Sequence, residues 1–186
     1  MEIRKAKIQD ADKVIPLLLE ALGGTAPAFC GTEIPEEIED IYRQYFCEEE
    51  GRFSYHQFFV VLKSGEICGM IAGHETNQLD QLNQRVYEEL QKRGKGDFEL
   101  IKESMDGDYY IEVLTVAEAY RSRGIGKKII AFFENEARRR KCSQTSLVVL
   151  QENEEARKLY EKLGYKVQNA HSFYFEDFYY MAKKSE

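Results

Sequence analysis

Apolar positions recur with two periods along this chain. Val14, Leu17, Leu18 and Ala21 fall at helical spacing and predict a helix over 11–22, with a cap candidate at Gln9-Asp10 and a stop at Gly23-Gly24. Ile38, Ile41, Tyr42 and Tyr45 predict a second helix from Pro35 to about Glu50, ended by Gly51. The period is shorter elsewhere. Residues 2–6 read as a first strand, 56–62 and 67–74 as a hairpin about Ser64-Gly65, and 109–116 as a buried strand rich in β-branched and aromatic residues. Ile125, Ile129, Phe132, Phe133 and Ala137 return to helical spacing. A fully apolar strand over 145–150, a helix over 153–163 stopped by Gly164, and closing strands over 165–171 and 175–183 complete the chain.

Segment 75–108 stands apart. It is mostly polar, and Leu79, Leu82, Val86 and Leu90 predict a helix over 79–92, broken by Gly94-Lys95-Gly96. It reads as an insertion before the central strand: a surface appendage, or a lid or homodimer contact.

Composition narrows the class. The 186 residues are expected to form one domain, 1–186, and at 43% hydrophobic content they can bury a core. A net charge of −7 argues against a nucleic-acid partner. Cys30, Cys47, Cys68 and Cys142 show no C-x-x-C pairing and read as reduced thiols of a cytoplasmic protein. The N-terminus lacks an apolar core of signal-peptide type, and no run approaches membrane-spanning length. His56, His74 and His171 have no metal-ligand spacing, so no metal is expected.

The chemistry concentrates between the 109–116 strand and the helix from Ile125. The connection reads Arg121-Ser122-Arg123-Gly124-Ile125-Gly126-Lys127-Lys128. A helix's first turn has unpaired N–H groups and the positive end of the dipole. Glycines at 124 and 126 let ligand oxygens approach the backbone, and the loop's cations add attraction. A phosphate or pyrophosphate suits such a junction. A Walker loop is excluded, because Arg121 stands where its first glycine belongs and Lys128 where Ser or Thr belongs. A dinucleotide fingerprint fails at Ile129, where its third glycine belongs.

The pattern Arg121-x-x-Gly124-x-Gly126, after a strand and before a helix, resembles the coenzyme A loop of the GNAT N-acetyltransferase superfamily. Asn153, Ala156, Tyr160 and Gly164-Tyr165, behind the 145–150 strand, resemble that family's C-terminal signature. The motif-bearing part covers roughly residues 109 to 182. The resemblance implies an α/β fold: a mixed, mostly antiparallel twisted sheet of six or seven strands, helices on both faces, and a V-shaped cofactor cleft between splayed parallel strands. It implies acetyl-CoA as co-substrate and direct transfer of the acetyl group to a primary amine. It also places the backbone of Leu114 and Val116 and the side chain of Asn153 against the pantetheine arm. The loop residues Arg121, Ser122, Arg123, Gly124, Ile125, Gly126 and Lys127 would meet the pyrophosphate.

Two residues are candidates for the proton transfers. Amine acetylation needs a base, because an alkyl ammonium is charged at neutral pH, and an acid for the leaving thiolate. Glu112 is the one carboxylate inside the central strand, and some polyamine-type relatives carry a proposed base at that motif position. Strand alternation would put Tyr110, Glu112, Leu114 and Val116 on one face. Burial disfavours a lone charged carboxylate and suits it to base work; the alternative is a carboxylate paired with Arg or Lys, or one that only binds an ammonium. Tyr160 matches the family's general acid, and as a plain aromatic it would simply pack. Asn153, Ala156 and Tyr160 share a helix face, and Asn153 doubles as a cap. Phe173, Tyr174, Phe175, Phe178, Tyr179 and Tyr180 read as strand packing, with one or two walling the acceptor pocket. The acidic balance and Glu112 favour a small cationic amine as acceptor. A non-catalytic coenzyme A sensor or interaction module on the same fold, and a transferase of another acyl group, are the alternatives.

Overall fold

In the computed structural model, residues 1–174 and 176–185 are described. Among them, strands β1 (Glu2–Lys5), β2 (Phe58–Lys63), β3 (Glu66–Glu75), β4 (Asp108–Val116), β5 (Gln144–Leu150), β6 (Lys166–Phe173) and β7 (Glu176–Lys184) form one open sheet. Its order is β1-β2-β3-β4-β5-β7-β6. Every neighbouring pair is antiparallel except β4 with β5, which run parallel. The mixed, mostly antiparallel α/β fold expected from the sequence is therefore the fold observed.

The helices are α1 (Ala11–Leu22), α2 (Pro35–Cys47), α3 (Leu79–Lys92), α4 (Ile125–Arg139) and α5 (Glu154–Lys162). Of the stripe that its spacing predicts, α4 buries Ile125, Ile129, Phe133 and Ala137, while Phe132 is only partly buried and Ile130 joins the buried set. Burying each large one contributes roughly 1.5–3 kcal/mol relative to leaving it exposed. These residues join Phe59, Val61, Ile71, Tyr109 and Ile111 in one core on that face. The opposite core joins α1, α2 and α3 to Phe58, Val60, Met70 and Ala72. Consecutive residues of β2 and β3 go to opposite cores, as strand alternation requires. Phe175, expected to open the last strand, lies outside the described residues.

Segment 75–108 is integral to the packing. Val86 and Leu90 of α3, and Leu100 beyond it, enter the same core as α1 and α2. Arg93 ties the end of α3 to α2 through Glu37, and Thr76 donates to Ser104 across the segment.

One irregularity matters for the site. Ala72 of β3 faces Val113, and Gly73 faces Ile111, so Glu112 is an extra residue without a cross-strand partner. This β-bulge shifts the phase of the strand. Tyr109 and Ile111 point to the α4 side, Val113 to the α1 side, and Leu114 and Val116 again to the α4 side. The expected common face of Tyr110, Glu112, Leu114 and Val116 is thus divided: the first two look one way and the last two the other. Gly73 allows the bulge. A Cβ there would sit 2.1 Å from the Tyr110 carbonyl oxygen and 2.4 Å from the Phe133 ring.

Candidate active site

The sheet opens between its two parallel strands. β4 and β5 pair only at Asp108–Gln144, Tyr109–Thr145 and Tyr110–Ser146. Beyond Tyr110, β4 stays with β3 as far as Val116, while β5 stays with β7 as far as Leu150. The Asp108 carboxylate pins the closed end. It accepts from the Ser146 hydroxyl at 2.5 Å, the Tyr180 hydroxyl at 2.6 Å and the Gln144 amide at 2.7 Å. The open end is the expected V-shaped cleft. Two cavities occupy it, an outer one of about 880 Å³ and an inner one of about 240 Å³.

The outer cavity runs from the β4 edge to the start of α4. Leu114 and Val116 line it, as do Arg121, Ser122, Gly124, Ile125, Gly126 and Lys127. Gly124 caps α4 with a left-handed φ of 74°. A Cβ on Gly124 or Gly126 would meet nothing within 4 Å. The first-turn amides of α4 therefore face open space, which is what an incoming phosphate needs.

The loop cations do not all point there. Arg121 donates from Nε to the Val116 carbonyl at 2.9 Å and is ion-paired with Glu20 of α1. Arg123 lies over the Tyr120 ring, 5.7 Å from its centre. Lys127 is joined instead by Lys158 and Lys162 across the cavity. Sequence reasoning missed these two lysines, although their i, i+4 spacing puts them on one side of α5.

Helix α5 closes the junction between the cavities. Asn153, Ala156 and Tyr160 line both, together with Leu114. Their expected common face is the observed one. Asn153 Oδ1 accepts from the Ala156 N–H at 3.0 Å, so the capping role is realised. Burial alone pushes the Tyr160 hydroxyl up to about 12, which keeps it a proton donor at neutral pH.

The inner cavity holds a charge cluster. Glu103, Glu112 and Glu176 line it, and no basic side chain does among the described residues. Arg52 stands behind Glu112, with its side chain 1% exposed. Its Nε donates to Glu112 Oε2 at 2.8 Å, and its Nη2 meets Oε1 at 2.8 Å. The sequence left open a lone buried carboxylate and one paired with Arg or Lys; the structure gives the second, held at both oxygens by an arginine. Arg52 itself was missed, because 60 residues separate it from Glu112 and nothing in its local pattern marks it. His74 packs against this pair, Nδ1 3.6 Å from Glu112 Oε2, and neither ring nitrogen has a hydrogen-bond partner. Burial, with Arg52 adding to it, pushes His74 down to about 3, so the ring is neutral.

An open sheet split between parallel strands, with a glycine-bearing helix start at its mouth, is the frame of a coenzyme A-dependent acetyltransferase. The model of the acetyltransferase (GNAT) family matches residues 25–165, and the chain belongs to that family. No curated protein matches it by sequence. Among solved structures, an acetyltransferase superposes with a TM-score of 0.81 at 23% identity, covering 100% of both chains. An N-acetyltransferase from Staphylococcus aureus Mu50 gives 0.81 at 21% identity, covering 98% of this chain and 100% of that one. The PaiA N-acetyltransferase from Thermoplasma acidophilum, in complex with coenzyme A, gives 0.59 at 17% identity over 98% of each. The protein is thus an acetyltransferase of the kind that works with acetyl-CoA. Among the described residues, no helix is long and apolar enough to cross a membrane.

Proposed function

We propose that the acceptor is a small cationic primary amine and that the acetyl group passes to it directly. One observation carries this reading: the inner cavity of about 240 Å³ is lined by three carboxylates and no basic side chain among the described residues. Arg52 matches one carboxylate, which leaves net negative charge for an ammonium group. The volume suits an acceptor of few heavy atoms.

The other site residues take roles that fit this reading. The outer cavity takes the coenzyme, its pyrophosphate on the amides of Gly124, Ile125, Gly126 and Lys127. Its pantetheine arm lies along Leu114 and Val116, with the Asn153 amide group at its side. The Leu114 N–H stabilises the oxyanion that forms at the thioester carbonyl. The Tyr160 hydroxyl, at the junction of the cavities, protonates the departing sulfur. Glu112, clamped by Arg52, fixes the negative end of the inner cavity.

A panel of cationic, neutral and anionic primary amines, with a set of peptide N-termini, tests this by thiol release from acetyl-CoA. Cationic small amines should give the highest kcat/KM. Preference for anionic amines or for peptides would refute the acceptor class.

A further inference from the structure

We propose that Glu103, carried into the inner cavity by loop 93–107, is the group that accepts the amine's proton. The inference rests on the cationic-amine reading above and gives it a base. Three observations lead to it.

The first is a charge count. Arg52 is engaged at two of its nitrogens by Glu112, and its nearest approach to Glu103 is 3.6 Å. One buried cation faces two buried carboxylates, and Glu103 has only its longer, single contact of 3.6 Å. The second is position. The Glu103 side chain is 9% exposed, yet it lines the same cavity as Tyr160 and Glu112. The Tyr110 hydroxyl donates to its Oε2, and the Arg52 approach falls on the same oxygen. Both interactions leave Oε1 for the acceptor. The third is ionisation. Burial, opposed by Arg52 and helped by the Glu112 charge, pushes Glu103 up to about 7. A base for work near neutrality needs that range.

The neighbours sharpen the assignment. Around Glu103 are Arg52 from the connection after α2, Tyr110 and Glu112 from β4, Tyr174 from the β6–β7 turn, and Glu176 across the cavity, with His74 from β3 behind Glu112. His74 is neutral, as its downward shift requires. Burial raises Tyr110 far above the neutral range and Tyr174 to about 12, so both keep their protons.

The atoms balance without a further reactant. The ammonium gives one proton to the Glu103 carboxylate, which later passes it to solvent. The freed nitrogen attacks the thioester carbonyl, the C–N bond forms, and the C–S bond breaks with its electrons left on sulfur. Tyr160 protonates the sulfur, and the second proton lost by nitrogen restores the tyrosine.

The test uses the full chain, acetyl-CoA and the best cationic amine of the panel. In the wild type, kcat should rise with pH through about 7. Glu103→Gln should keep its coenzyme affinity and lower kcat by about 10²-fold or more. Its loss should shrink with hydroxylamine, which is already neutral at pH 7. Tyr110→Phe is the second arm. Removing the phenol donor disfavours the charged carboxylate, so the rising limb should move to higher pH. Should Glu103→Gln fail to fold, the limb of Tyr110→Phe decides, and an unmoved limb overturns the assignment. A Gln variant with a wild-type pH profile, or with only KM raised, overturns it as well. In both cases the acceptor reading stands, since it depends on wild-type turnover. No wild-type turnover of any cationic amine overturns that reading itself, and this one with it.

Discussion

Replacing Arg52 with Met should destabilise the protein strongly, and the loss should be partly recovered by a second substitution. Met keeps much of the aliphatic length and removes the charge. The guanidinium is 1% exposed, makes two 2.8 Å contacts with Glu112, and lies 4.8 Å from the centre of the Phe29 ring. Removing it leaves Glu112, itself 3% exposed, as an uncompensated buried charge beside Glu103. Breaking one side of such a pair costs about 3–5 kcal/mol. A domain has only about 5–15 kcal/mol in total, so a large share of its stability is at stake. Glu112→Gln should cost less, about 1–3 kcal/mol, because Arg52 keeps Glu103 as a counter-ion 3.6 Å away. In Arg52→Met with Glu112→Gln, no charge remains unmatched within the pair. The double variant should therefore be more stable than the sum of the single losses by about 1.5–3 kcal/mol. Urea unfolding of the four proteins at pH 7.5, with slopes compared, measures the cycle. A Met variant that loses under about 1 kcal/mol, or additivity within about 0.5 kcal/mol, would refute the charge argument.

Tyr160→Phe keeps the ring that meets Tyr165 edge-on at 5.8 Å and removes only the hydroxyl. It should lower kcat by about 10²-fold with coenzyme affinity and melting temperature unchanged, and a stability loss with normal kcat would make the tyrosine structural. Gly126→Val places its side chain in space that is empty in the protein, so the fold should survive. Coenzyme A affinity by calorimetry should still fall at least about tenfold, or about 1.4 kcal/mol; an unchanged value would move the pyrophosphate elsewhere. Gly73→Ala drives a Cβ into the Tyr110 carbonyl, and should cost about 1–3 kcal/mol or more by chemical denaturation.

Local pattern and local motif carried far in this chain. The α1 and α3 boundaries follow from apolar spacing and flanking glycines, and the glycine-bearing start of α4 and the α5 face follow from short motifs read over a few residues. What stayed hidden depends on pairing between distant segments. The phase reversal in β4 requires knowing that Gly73 stands opposite Ile111, because a bulge belongs to a pair of strands and one strand cannot display it. Arg52 sits in a short connection between α2 and β2 with no periodic neighbour to mark it as buried. Glu103 looked like one more charge in a polar insertion. Its loop is drawn inward by Leu100, which is 6% exposed, and by Ser104, bonded to Thr76.

These hidden features act as one device. The bulge at Glu112 lets Tyr110 and Glu112 face away from α4, while Leu114 and Val116 return to the α4 side and line the outer cavity. A regular β4 would keep one phase throughout and would put either Glu112 or Leu114 on the wrong side of the sheet. With the bulge, one strand lines both cavities: Glu112 faces the inner one, and Leu114 and Val116 line the outer one. Arg52 then has a defined task, which is to hold Glu112 in a place where a lone buried charge would be unfavourable. That clamp engages one carboxylate fully and leaves the second, on a loop that reaches the cavity from the insertion, as the group whose proton is not already decided. The insertion, read from sequence as a surface appendage, or a lid or dimer contact, is the element that carries Glu103 to the inner cavity.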